Sequence, residues 1–230
     1  MPFKKITNNI FMVGSSDLSG EGDCLVYAIR LRDGSACLID VGTENITNIL
    51  QNIKETTIRD GTVSYLILTH AHYDHAGGAH LLKLKIPDLE IIAHEFDLPA
   101  LQGAPGTESI TAASWYGASY VPVEIKNIIR NDGKTLTLGG TEINIIHTPG
   151  HTMGSLSILM EDDGKKVLFG QDIHGPFMDE FKSNIHSWAN SMKKLISLEP
   201  DILCEGHFGV YKPKSQAIAF ITNHLARNGF

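Results

Sequence analysis

The chain has 230 residues and a formal net charge of −7, with 42% hydrophobic and 20% charged residues. That balance suits one sizeable α/β domain or two small ones, and it argues against a general nucleic-acid binder, because phosphate binding draws on Lys and Arg. No apolar run has bilayer-spanning length, Met1-Pro2-Phe3-Lys4-Lys5 does not open a signal peptide, and Cys24, Cys37 and Cys204 are too far apart for a disulfide framework, so a cytoplasmic protein without a membrane partner is expected.

Residues 10–13, 24–32 and 36–41 read as strands, with Arg32-Asp33-Gly34-Ser35 as the turn between the last two. The period then changes. Ile46, Ile49, Leu50 and Ile53 fall on one helical face, with Thr43 as the N-cap. A strand at 63–69 runs into His70-Ala71-His72-Tyr73-Asp74-His75, and Ala76-Gly77-Gly78-Ala79 supplies small residues for a helix start packed close by. Residues 98–122 are rich in Gly, Pro, Ala and Ser, and no Lys or Arg occurs from Phe96 through Val123. This stretch reads as a partly helical insertion, a lid or pocket wall offering Leu98, Leu101, Trp115, Tyr116 and Val121; the other reading is that its aromatics cap the core.

The second half echoes this order. A strand at 143–146 leads into His147-Thr148-Pro149-Gly150-His151, and a strand at 156–160 follows. Residues 165–169 form another strand that ends at Gly170-Gln171-Asp172. A helix with Trp188, Met192 and Leu195 on one face precedes a short strand at 202–204, which ends at Glu205-Gly206-His207. Lys212-Pro213 opens the last helix. The alternation predicts two similar α/β halves facing each other across one site, in a single domain over 1–230, joined near 118–128.

Strand ends are where open α/β sheets bind ligands, and here they carry metal-type donors. Neutral imidazole and carboxylate suit zinc and its neighbours. Seven such groups stand out: His70, His72, Asp74, His75, His151, Asp172 and His207. One tetrahedral catalytic ion takes three protein ligands and a water, so this number suits two ions sharing a carboxylate. His147 could approach the same site. His80, His94, His186 and His224 read as surface or packing residues, Cys204 as a small buried hydrophobe and Tyr73 as loop support.

Together these residues resemble the metallo-β-lactamase superfamily, in the hydrolase branch of glyoxalase II and the N-acyl homoserine lactonases. The resemblance spans nearly the whole chain. It rests on Leu38-Ile39-Asp40-Val41-Gly42, the HxHxDH cluster with Gly77-Gly78, His147-Thr148-Pro149-Gly150-His151-Thr152-Met153-Gly154-Ser155, Phe169-Gly170-Gln171-Asp172, and Gly206-His207. It implies an αββα sandwich around one dinuclear site. His70, His72 and His151 would hold the first metal, Asp74, His75 and His207 the second, and Asp172 would bridge. Asp40 would orient the first metal loop from behind, or else serve as a turn residue. Zinc is the expected metal, with iron or manganese as alternatives.

The implied chemistry is hydrolysis of a small ester, thioester or lactone by a hydroxide bridging the metals, with Asp74 orienting it and accepting a proton. His174 would face substrate and protonate a leaving group, or be a plain loop histidine. Departures from the family narrow the substrate. Main-type class B lactamases carry a cysteine at the bridging place, which Asp172 holds here. Glyoxalase II adds a helical C-terminal domain with basic residues for glutathione, whereas only a short stretch follows His207. The lactonases carry a tyrosine three residues after the bridging aspartate, where this chain has Gly175. Alternatives are a mononuclear iron persulfide dioxygenase, and phosphodiesterase or weak β-lactamase activity at the same site. The expected partner is a small-molecule substrate, with a homodimer as the candidate assembly.

Overall fold

Two mixed β-sheets face each other in the computed structural model, which describes residues 2–58, 61–130 and 132–230. The first sheet runs β1 (Lys4–Lys5), β2 (Ile10–Gly14), β3 (Val26–Arg30), β4 (Ala36–Ile39), β5 (Val63–Ile67), β6 (Glu90–His94) and β7 (Asn127–Ile129), in that spatial order. The second runs from β8 (Lys134–Leu138) through β9 (Thr141–His147), β10 (Leu156–Asp162), β11 (Lys165–Gln171) and β12 (Ile202–Glu205) to β13 (Val210–Tyr211). In each sheet antiparallel strands come first and parallel pairing then begins, at β4 with β5 (continuing through β6 and β7) and at β11 with β12. A helix makes each crossover: α1 (Ile46–Lys54) in the first half, and later in the chain a longer one at Ile185–Ser197. The two-half sandwich expected from the sequence is the one observed.

Residue alternation builds the layers. Along β3, Tyr27 and Ile29 point between the sheets while Val26 and Ala28 face the outer helices; along β4, Cys37 and Ile39 point inward, Ala36 and Leu38 outward. The second sheet repeats this, with Val167 and Phe169 inward and Leu168 outward on β11. The period-2 side-chain pattern of a strand thus feeds two cores at once. Each fully buried Leu, Ile or Val contributes about 1.5–3 kcal/mol, so a slip of one residue would be costly on both faces.

Remaining helices are α2 (Tyr73–Ala76), α3 (Ala79–Lys85), α4 (Leu98–Leu101), α5 (Ile185–Ser197) and α6 (Lys214–Arg227). Among the described residues, none is long and apolar enough to cross a membrane. Trp188, Met192 and Leu195 of α5 seal the outer face of the second sheet with Ile221 of α6, as their spacing predicts.

Several expectations are corrected. The N-cap of α1 is Asn45; Thr43 instead donates its hydroxyl to Asp23 Oδ1 at 2.7 Å. The halves join between Ile129 and Lys134, later than 118–128, because β7 still pairs with the first sheet. Strands β1, β6, β7, β8 and β13 carried too little apolar alternation, or were too short, to be read. Within the insertion, Leu98 and Leu101 lie in the core against the first sheet, so they are not pocket wall.

Candidate metal centre

Five strand ends converge at one edge of the sandwich. Beyond β4 comes Asp40, beyond β5 the His70–His75 loop, beyond β9 His151, beyond β11 Asp172 and beyond β12 His207. The parallel register of β11 and β12 sets Gln171 beside Glu205, which brings the Asp172 and His207 turns together. Gly206 makes that approach feasible, since a Cβ there would stand 2.4 Å from Asp172 Oδ1. Asp40 adopts φ +60°, a left-handed conformation that costs on the order of 1–3 kcal/mol for most side chains and less for Asp. Its carboxylate recovers this by accepting Thr69 N, Thr69 Oγ1 and His75 Nδ1, each at 2.8 Å.

Outward hydrogen bonds fix three imidazoles. His75 Nδ1 donates to Asp40, His151 Nδ1 to the Pro176 carbonyl at 2.8 Å, and His70 Nδ1 to Thr69 Oγ1 at 3.0 Å, whose own proton goes to Asp40. With Nδ1 engaged outward, each ring aims its Nε2 inward. There the donors crowd: His151 Nε2 lies 3.0 Å from His72 Nδ1, and His75 Nε2 lies 3.1 Å from His207 Nε2. Asp172 sits among them, with Oδ2 3.3 Å from His151 Nε2 and 3.4 Å from His207 Nε2, and Oδ1 3.1 Å from His75 Nε2. Asp74 Oδ2 is 3.2 Å from His207 Nε2.

Buried His70 Nε2, His72 Nε2 and Asp172 Oδ1 have no hydrogen-bond partner. Convergent lone pairs and orphaned buried donors are an arrangement that a cation relieves. Donor atoms of His70, His72, His151 and Asp172 form one metal-sized group, and those of Asp74, His75 and His207 another. Burial, reinforced by neighbouring imidazoles, holds His70 and His72 well below the usual histidine pKa, in the neutral ligating form. Burial alone would raise Asp172; His75 and His207 outweigh it and keep the carboxylate ionised.

Residues 19–207 match the family described as the Metallo-beta-lactamase superfamily. The chain belongs to that superfamily. The fold of that superfamily implies divalent metal ions. The human acyl-coenzyme A thioesterase MBLAC2 is 25% identical over 182 residues, covering 71% of this chain and 62% of that protein, so the chain spans less than two thirds of this relative's length. The probable metallo-hydrolase YflN of Bacillus subtilis is 28% identical over 214 residues, covering 79% of each. Among solved structures, BJP-1, a subclass B3 metallo-beta-lactamase of Bradyrhizobium japonicum, superposes with a TM-score of 0.78 at 22% identity, over 99% of this chain and 92% of that one.

In this member of the superfamily the centre opens into a cavity of about 180 Å³ lined by His72, Asp74, Trp115, Tyr116, Phe181 and His174, among others. Trp115 and Tyr116 are exposed at its rim. Burial, then the charge of neighbouring Asp74, raises the phenol pKa of Tyr116. The edge of Phe181 packs on His72 at 4.4 Å between ring centres, and Trp115 packs on Phe181 at 5.0 Å. His147 stays away, stacked on His94 with ring centres 3.9 Å apart. A larger groove of about 870 Å³, along Arg30, Arg32, Thr141 and Lys166, lies at the opposite ends of the strands, and among the described residues none of the metal-type groups is there.

Two buried carboxylates escaped the sequence reading. Asp97 accepts Ala71 N at 3.0 Å, Gly154 N at 2.8 Å and Thr152 Oγ1 at 2.8 Å, tying the His70 loop to the His151 loop. Glu205 accepts His174 Nδ1 at 2.9 Å and the backbone amides of His207 and Phe208. Asp97 lies in no motif, and Glu205 could have been noticed only as a charge ending an apolar strand.

Proposed function

We propose that the chain is a dinuclear metal-dependent hydrolase acting on a small ester, thioester or lactone with apolar substituents. The convergence of His70, His72, Asp74, His75, His151, Asp172 and His207 on one aromatic-walled cavity carries the reading. In it, His70, His72 and His151 hold one ion, Asp74, His75 and His207 the other, and Asp172 touches both sets. Bound divalent ions would polarise a carbonyl oxygen and lower the pKa of water toward neutrality. The chain's own groups supply the rest. Asp74, facing the cavity, orients the attacking water and accepts its proton, and Tyr116 steadies that carboxylate from the rim. Asp40 and Thr69 hold the His70–His75 loop rigid. Trp115 and Phe181 exclude water and offer apolar contact.

Among the described residues no Lys or Arg lines the cavity, so an anionic tail would find no lysine or arginine to pair with inside it. This favours neutral acyl groups over glutathione conjugates. The name of the human relative makes acyl thioesters the first compounds to assay, with any large leaving group outside so small a cavity. The decisive experiment is metal analysis of protein purified without added metal, coupled to a panel of esters, thioesters, lactones, phosphodiesters and a persulfide. Two ions per chain with fastest turnover of neutral acyl compounds is expected. One iron per chain, with oxygen consumed on persulfide, would overturn the proposal.

A further inference from the structure

Potential ligands do not end at the seven. Donor atoms of Asp172, His174 and His207 also lie within 4.8 Å of one another, a set that shares only His207 with the group of Asp74 and His75. His174 is held as ligating imidazoles commonly are, with one ring N–H given to a carboxylate and the other nitrogen left basic. That carboxylate, Glu205, is fully buried and is itself anchored by His207 N at 2.7 Å and Phe208 N at 2.8 Å. The same turn therefore positions His207 and, through Glu205, His174.

Accessibility separates the two sets. The side chains of His75 and Asp74 are 0% and 6% exposed, whereas those of His174 and His207 are 19% and 30% exposed. An ion entering through the cavity mouth meets His174 and His207 before it meets His75. Both sets consist of two imidazoles and one carboxylate, so moving between them changes neither ligand type nor charge. His207 and the shared Asp172 can stay in contact throughout, while Asp74 and His75 take the place of His174.

We propose that Asp172, His174 and His207 form an outer metal seat at the cavity mouth that captures a divalent ion and hands it to the inner set. The inference rests on the two-ion reading above. Two imidazoles with one carboxylate suit zinc, cobalt(II), iron(II) or manganese(II). The test uses protein stripped with a chelator and mixed rapidly with cobalt(II), uptake being followed by visible absorption and the end point by metal analysis. Wild-type protein should take up two ions. His174→Ala should reach the same end point, with uptake of the second ion slowed about tenfold or more, taking the lower end of outer-ligand effects on metal binding as the guide. His174→Asp, which returns an oxygen donor, should recover most of the rate. Glu205→Gln, which removes the anchor, should fall between. Uptake by His174→Ala superimposable on wild type, with both ions bound, would overturn the seat alone. Equal slowing by the Ala and Asp variants would make His174 a packing residue and also overturn it. A wild-type protein that binds fewer than two ions would instead sink the two-ion reading, and the seat with it.

Discussion

The two halves of the sandwich deliver their donors in different ways. The first places His70, His72, Asp74 and His75 in one short loop, whose own backbone and α2 fix their relative positions. The second gathers His151, Asp172 and His207 from three strand ends, so their positions depend on sheet register, above all Gln171 beside Glu205. Bracing differs too. His75 and, through Thr69, His70 lean on the side chain of Asp40, whereas His151 leans on the Pro176 backbone carbonyl. A local loop can tolerate small shifts of the sheets; a site assembled from distant strand ends cannot. Substitutions on the second side should therefore disturb both ions, and those on the first side should act more locally.

Asp172→Ala tests this contrast most severely. Asp172 is within 3.1–3.9 Å of nitrogens from both ligand groups, and its loss should lower turnover by orders of magnitude and reduce the metal content. Near-normal activity with a full metal complement would show that the halves do not meet at this residue.

Asp40→Asn is the matching test on the first side. It keeps a side chain that tolerates φ +60° but removes the charge behind His75 and one acceptor for Thr69. Metal affinity, measured by chelator competition, should fall about 10–100-fold, the usual effect of losing a partner behind a metal ligand. Lower thermal stability with unchanged affinity would make Asp40 a turn residue, the other role its sequence context allowed.

Legibility followed the same divide. The His70–His75 cluster could be recognised because its donors are adjacent in sequence. His151, Asp172 and His207 could be proposed only as ends of apolar strands, joined by the family pattern. Glu205 and Asp97 were not foreseen, since a buried carboxylate has no sequence signature until the groups it accepts from are known. Strand alternation showed the central strands of both sheets. It missed β8, whose exposed Lys134, Thr135 and Thr137 resemble a loop, and β7, whose three residues are too few for a period. The insertion was half legible: its lack of charge suggested a pocket wall, but composition could not separate Trp115 at the rim from Leu101 in the core.

Trp115→Ala sharpens the comparison from the substrate side. Trp115 is 54% exposed and contacts Phe181, so truncation removes little from the core. We expect the melting temperature to hold while KM rises more than kcat falls, with kcat/KM lower by up to about tenfold, because an apolar contact serves ground and transition states alike. A lower melting temperature with normal kinetics would return this part of the insertion to a structural role.

The smallest effect belongs to the contact between the halves that holds no metal. His94 ends β6 in the first sheet, His147 ends β9 in the second, and their rings stack 9° from parallel. Burial, with His147 adding to it, pushes His94 down to about 4 from the usual 6.5. Between those values the unfolded chain binds more protons at this position than the folded one, so stability rises with pH across the window. The contribution is fully present above pH 6.5 and is lost as pH falls toward 4. His94→Phe keeps an aromatic ring against His147, removes the titration and spares a buried Nε2 that has no partner. Urea midpoints taken with a chelator present, to exclude metal release, should therefore diverge: wild type should lose more stability than His94→Phe between pH 7 and pH 5. Parallel losses in the two proteins would mean that His94 is protonated equally in both states, and that the halves meet at this contact without excluding a proton.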